Sequence, residues 1–320
     1  MSRRSHRSFR LTRRRDYIRP LALPGNISFS KEVTRTLWRH KKTFMLLALV
    51  YAVVYLVLIG LQSQENYSAL SSAITDTDSD LFAGDWGAVG QAGLLFVSIF
   101  SFGIDPSFTE AQQIFSVLIF LLIWLTTVWL LRNILAGHQV RLRDGLYNSG
   151  APLFSTMLVA LLIAVQLIPV LIAVIGYGAA VSSGLLEGGV AAMMFWLCAG
   201  LLVVLSLYWI TSTLFAMIIV TLPGMYPYKA IRTAGDIMQG RRIKLLLRWI
   251  WMILSVLVAG IVVMIPIILL DMGLKHLVPA LDWVPLVPIA LLIWSAFSIV
   301  WIATYVYLLY RKVVDYVPEQ

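Results

Sequence analysis

The side chains able to carry chemistry in this chain are few and scattered. Its four histidines, His6, His40, His138 and His276, lie in a tail or in loops and never at the spacing with which imidazoles share a metal ion. Cys198 is the single cysteine and sits in an apolar run, so there is no disulfide and no thiolate metal centre. The acidic run Asp76, Asp78 and Asp80 lacks the glycine and the distal glutamate of a calcium loop and reads as a solvated loop. There is no phosphate-cradling glycine-rich loop and no nucleophile elbow. Two groups remain. Gln166, with Thr211, Ser212 and Thr213, places polar groups inside apolar surroundings, where they either line a polar path or bridge helices and satisfy their own carbonyls. The second group is cationic: Arg141, Arg143, Lys229, Arg232, Arg241, Arg242 and Lys244 are candidate contacts for anionic lipid headgroups. No catalytic, cofactor-binding or metal-ligating residue is assigned, no cofactor is expected, and the reading leans towards a protein without enzymatic activity.

The elements that hold these groups follow from composition. Sixty per cent of the 320 residues are hydrophobic and 13% are charged, about half the charged fraction of a soluble domain. Six apolar runs are long enough to cross a bilayer, at 43–62, 114–136, 153–177, 193–220, 246–270 and 286–310. The expected fold is therefore all-α, a polytopic membrane bundle of six transmembrane helices with short interfacial amphipathic helices, spanning 26–320. Residues 1–25 carry eight Arg and one Asp with no apolar stripe, and read as a disordered basic cytoplasmic tail. Pro169 and Pro266 are expected to kink their helices. Ser30 is expected to cap a helix over 31–42, with Val33, Leu37 and Trp38 on one side.

Charge sets the orientation. The segment through Lys42 and the connections around 137–152 and 221–245 carry nearly all the Lys and Arg, whereas 63–113 has neither and holds seven acidic residues. The positive-inside rule then places both termini in the cytoplasm. Trp86–Gly103 is apolar enough to suggest a seventh span, but a full crossing would break this pattern, so it reads as interfacial or re-entrant. Trp249, Trp251, Tyr305, Tyr307 and Tyr310 read as the inner aromatic belt, and Tyr177 and Trp283 as outer ends.

The most structured stretch is Pro223–Arg248. Pro223, Gly224 and Pro227 stop the preceding helix. From Tyr228 to Gln239, Ala230, Ile231, Ala234, Ile237 and Met238 form one apolar stripe, with Lys229, Arg232 and Asp236 elsewhere and Gly240 as the expected cap. Such a helix is expected to lie in the headgroup plane. Comparable cationic segments precede the first and third runs, near Lys31 and Arg141.

On the residues VRLRDGLYNSGAPL (140–153), SLYWITSTLFAMIIVTLPGMYP (206–227) and AIRTAGDIMQGRR (230–242), the chain resembles the uncharacterised six-span membrane proteins of small-genome bacteria of the Saccharibacteria type. More distantly it is similar to the membrane domain attached to some glycerophosphodiester phosphodiesterases, without their catalytic barrel. The resemblance implies a fold and a location but no reaction. Asp144-Gly145 beside Arg143 begins the D-G-x-x-A-R pattern of lipid-headgroup transferases, but Leu146-Tyr147-Asn148 does not continue it. The leading expectation is a membrane scaffold or assembly partner that contacts anionic phospholipid at its cytoplasmic face, with a protein partner or a second copy as further partners and no nucleic acid. The alternative is a transport component for a lipid-like or apolar substrate.

Overall fold

The computed structural model describes residues 23–60, 109–186, 188–277 and 284–315. They form α1 (Asn26–Arg39), α2 (Lys41–Leu58), α3 (Glu110–Leu135), α4 (Leu142–Ser149), α5 (Leu153–Gln166), α6 (Ile168–Ser182), α7 (Gly189–Ile219), α8 (Pro227–Met238), α9 (Arg242–Leu277) and α10 (Leu286–Val314). No strand occurs among the described residues. Six stretches are helical, long and apolar enough to cross a membrane: α2, α3, α5 with α6, α7, most of α9, and α10. This is the all-α helix set of a multi-pass membrane protein. Residues 1–22, the acidic run at 76–80, the segment 86–103 and Trp283 lie outside the described residues.

The short helices precede long ones, as the cationic segments suggested: α1 before α2, α4 before α5, and α8 before α9. Their boundaries differ from expectation in instructive ways. Helix α1 starts one turn early, because Gly25 rather than Ser30 closes its first turn. The Gly25 carbonyl accepts from Phe29 N–H at 2.9 Å and from Ser28 Oγ at 2.8 Å. Ser30 lies inside the helix, its carbonyl accepting from Thr34 Oγ1 at 3.0 Å. Val33 is fully buried, but Trp38 is 69% exposed and does not share its face.

The third apolar run is broken rather than continuous. Pro169 has no N–H for the carbonyl four residues back. The chain tightens there, with Leu167 N–H donating to the carbonyls of Ile163 at 3.0 Å and Ala164 at 3.2 Å. Helix α6 begins afresh at Ile168 with Pro169 in its first turn. Pro266, by contrast, sits inside α9 without ending it.

The chain divides into two compact units. One contains the first residues of α1, nearly all of α5, then α6, α7 and α8, the start of α9 and the end of α10. Within it α7 packs against α6 and α8. Phe215 on α7 meets Trp249 and Tyr310 edge-on, at centroid distances of 5.4 and 5.8 Å. Trp249 and Tyr307 are no more than 5% exposed. These aromatics are core packing rather than a belt facing headgroups. Their position near the ends of apolar runs suggested the belt, but side-chain direction was decided by neighbours on other helices.

The other unit contains the rest of α1, α2, α3, α4 and the greater parts of α9 and α10. Gln112 ties the ends of α2 and α3 together. It completes a capping box with Thr109, and its Nε2 donates to the Ile59 carbonyl at 2.8 Å, satisfying one of the open carbonyls at the end of α2. Helix α4 folds back onto α3 through two small residues one turn apart. A side chain on Gly145 would meet the Leu130 side chain at 3.1 Å. Ser149 accepts from Thr126 Oγ1 at 2.9 Å. Replacing Gly145 with Val should lift α4 off α3 and destabilise the fold by about 1–3 kcal/mol. Ser149→Ala should cost about 1 kcal/mol. Thermal unfolding in detergent reads both; a Gly145→Val protein with an unchanged midpoint would contradict this packing.

Candidate functional site

The cationic stretch is built on the end of α7. Helix α7 stops at Ile219, and the chain turns through Gly224, whose φ of +74° is the left-handed region that glycine enters at no steric cost. Gly137, at φ +84°, makes the equivalent turn between α3 and α4. Tyr226 is extended ahead of Pro227, which occupies the first turn of α8. The helix ends at Met238, and Gly240 follows at φ +76°, the capping position read from the sequence.

The apolar stripe of α8 is real but narrower than expected. Ala230, Ala234 and Met238, four residues apart, are fully buried, whereas Ile231 and Ile237 are half-buried. Helix α8 packs on α7, so this face is engaged by protein. The opposite face displays Lys229, Arg232 and Asp236.

The seven cations are not equivalent. Lys229, Arg232 and Lys244 are exposed, and none has an ion-pair partner among the described residues. Arg242 is half-buried with its guanidinium 4.4 Å above the Tyr208 ring, a geometry that desolvates one face of the charge and holds it in place. Arg241 is only 8% exposed and belongs to the packed interior. Arg141 and Arg143 are exposed on or beside α4, in the other unit. The Arg141 N–H donates to the Asp144 carboxylate at 3.4 Å, capping α4.

Sequence reasoning missed Arg248. It is 8% exposed, donates to the Pro24 carbonyl, and lies 5.8 Å from the ring of Phe29. Lys312 lies 5.8 Å from the same fully buried ring. An arginine just inside an apolar run, directly ahead of Trp249 and Trp251, was the available signal. Its partners, at the far end of the chain, were not visible from spacing.

Among the intramembrane polar positions, the structure joins Gln166 and Thr213. Thr213 Oγ1 donates to Gln166 Oε1 at 2.8 Å, linking α5 to α7. Thr211 and Ser212 instead donate to carbonyls of their own helix, those of Tyr208 at 2.7 Å and Trp209 at 3.1 Å. This is helix bridging and backbone satisfaction.

A cavity of about 450 Å³ lies within the second unit, bounded by α1, α2, α9 and α10. That is the size range of small-molecule pockets. Its wall is almost wholly apolar, with Phe44, Met45, Val256 and Phe297 among the lining residues and Lys41 on its edge. The Lys41 ammonium is 5.4 Å from the Trp38 ring.

Among the described residues no cluster of three or more His, Cys, Asp or Glu is placed to hold a metal ion. Comparison with known proteins finds no matching family model, no matching curated protein and no matching solved structure.

The Gln166–Thr213 bond should behave as an interhelical tie. In a double-mutant cycle of Gln166→Leu and Thr213→Val, the coupling should be about 0.6–1.7 kcal/mol. Coupling indistinguishable from zero would mean that the two side chains act independently.

Proposed function

We propose that the protein is a non-enzymatic scaffold or assembly partner of a bacterial cytoplasmic membrane, akin to the Saccharibacteria-type six-span proteins, that grips anionic phospholipid at its cytoplasmic face. The observation that carries this reading is the division of labour on α8. Its apolar face is covered by α7, so the helix has no need of the bilayer to bury its stripe, and its cations are exposed without ion-pair partners among the described residues. A rigidly seated helix presenting Lys229 and Arg232, followed by Lys244, attracts an anionic leaflet with about 1 kcal/mol per cation near the surface.

The test uses the exposed cations alone, since Arg241 is packed and its loss would disturb the fold. In Lys229→Gln/Arg232→Gln/Lys244→Gln, retention of phosphatidylglycerol at low salt should fall by about 10²-fold, an upper bound before screening. Native mass spectrometry of the purified protein measures it, with unfolding temperature as the control. Unchanged retention reduces these residues to a topology signal. This reading puts both termini inside the cell, on the one-sided distribution of Lys and Arg in the sequence. Single cysteines at Ser183 and Ser8 in a Cys198→Ala background should react with an external impermeant reagent at Ser183 only. Labelling of Ser8 in intact cells overturns the orientation.

A second reading, a transport component for a lipid-like or apolar substrate, is favoured by the apolar cavity of the α1, α2, α9 and α10 unit.

A further inference from the structure

The bond between Thr213 and Gln166 leaves most of an amide unused. Thr213 Oγ1 donates to one lone pair of Gln166 Oε1 at 2.8 Å. A carboxamide has a second lone pair on its oxygen and two N–H donors on its nitrogen. Gln166 Nε2 makes no hydrogen bond to any described residue. Unlike Trp124 Nε1, Trp249 Nε1 and Ser206 Oγ, which are sealed in the interior, this nitrogen belongs to a half-buried side chain and opens to the surface. That surface is apolar, since Val165, Leu167 and Ile168 beside it are all exposed. Gln166 also lies near the middle of the 30-residue crossing Leu153–Ser182.

An amide N–H left open in hydrocarbon is costly, so what covers this surface must bring an acceptor to this depth. Acyl chains carry none, and lipid ester carbonyls lie at the edge of the hydrocarbon core, about 15 Å from its middle. A second copy of the chain meets the requirement by symmetry. Two copies inserted the same way round, related by a two-fold axis along the membrane normal, bring each residue to the depth of its own equivalent. The carboxamide is self-complementary, with a free donor and a free lone pair side by side. We propose that the protein pairs with a second copy of itself through Gln166, each Nε2–H donating to the open lone pair on Oε1 of Gln166 of the second copy. The Thr213 bonds are kept in the pair. This deepens the assembly reading above by naming the partner, and it does not rest on the cations of α8.

The experiment measures Förster transfer between donor- and acceptor-labelled full-length chains in phosphatidylcholine vesicles at falling protein-to-lipid ratio. The wild-type protein should associate reversibly. Gln166→Leu should raise the mole fraction for half-dissociation about tenfold. Thr213→Val breaks the same internal bond but leaves the amides facing each other, and should associate as the wild type does. The Lys229→Gln/Arg232→Gln/Lys244→Gln protein should also associate as the wild type does, whatever its retention of phosphatidylglycerol. As a second readout that keeps Gln166 in place, p-benzoylphenylalanine at Leu167 should give a covalent dimer of the chain in native membranes, and at Val190, exposed at the start of α7, should not. No transfer between wild-type chains, a Gln166→Leu protein that associates as tightly as wild type, equal losses in Gln166→Leu and Thr213→Val, or adducts at Leu167 only with lipid or with another protein would each overturn the proposal.

Discussion

In each unit a short cationic helix is seated on a long apolar helix, and that contact organises the unit. On α7 the contact is made by Ala230, Ala234 and Met238 of α8; on α3 it is made by Gly145 and Ser149 of α4. In lipid no hydrophobic force draws two apolar helices together, so dispersion over a tight contact and a few hydrogen bonds must do it. Each short helix also requires the chain to double back after its span, and a glycine at positive φ, Gly224 or Gly137, makes that reversal. The position of the cations follows from this seating. With one face of α8 fixed, Lys229 and Arg232 have a set direction.

Much of this was legible in the sequence, because the relevant signals are local. Six apolar runs gave six helical stretches long enough to cross a membrane, one of them jointed, and the stripe at 230–238 together with Pro223, Gly224 and Gly240 gave α8 within one residue at each end. What escaped was everything decided by a neighbour distant in sequence. Trp249 and Tyr307 sit near helix ends like belt residues but are buried against other helices. Arg241 reads as a surface cation beside Arg242, yet is packed inside. Trp294 and Ser298 have an ordinary helical spacing in an apolar run; only the walls contributed by α1, α2 and α9 show that they line a chamber.

Ser30 failed as a cap for a different reason. A serine before an apolar pattern is a strong prior, but the pattern itself began earlier, and Gly25 supplied the carbonyl that starts the helix. Local propensity identified the helix and misplaced its first turn. The intramembrane hydroxyls follow the same logic in reverse. Thr211 and Ser212 close on carbonyls three residues back, leaving Gln166 and Thr213 as the pair that joins two helices.

The junction at Leu167 has a consequence for the bilayer itself. Helices α5 and α6 have 14 and 15 residues, each roughly 21–23 Å long at 1.5 Å per residue, too short to traverse a hydrocarbon core of about 30 Å alone. The unbroken 26 residues of α3 extend about 39 Å and meet a thinner membrane only by leaning. The jointed crossing has a second way to accommodate thickness, folding at its middle where Pro169 has already removed a hydrogen bond. Lipid chain length therefore acts on this crossing at a point, and on its neighbours along their whole length.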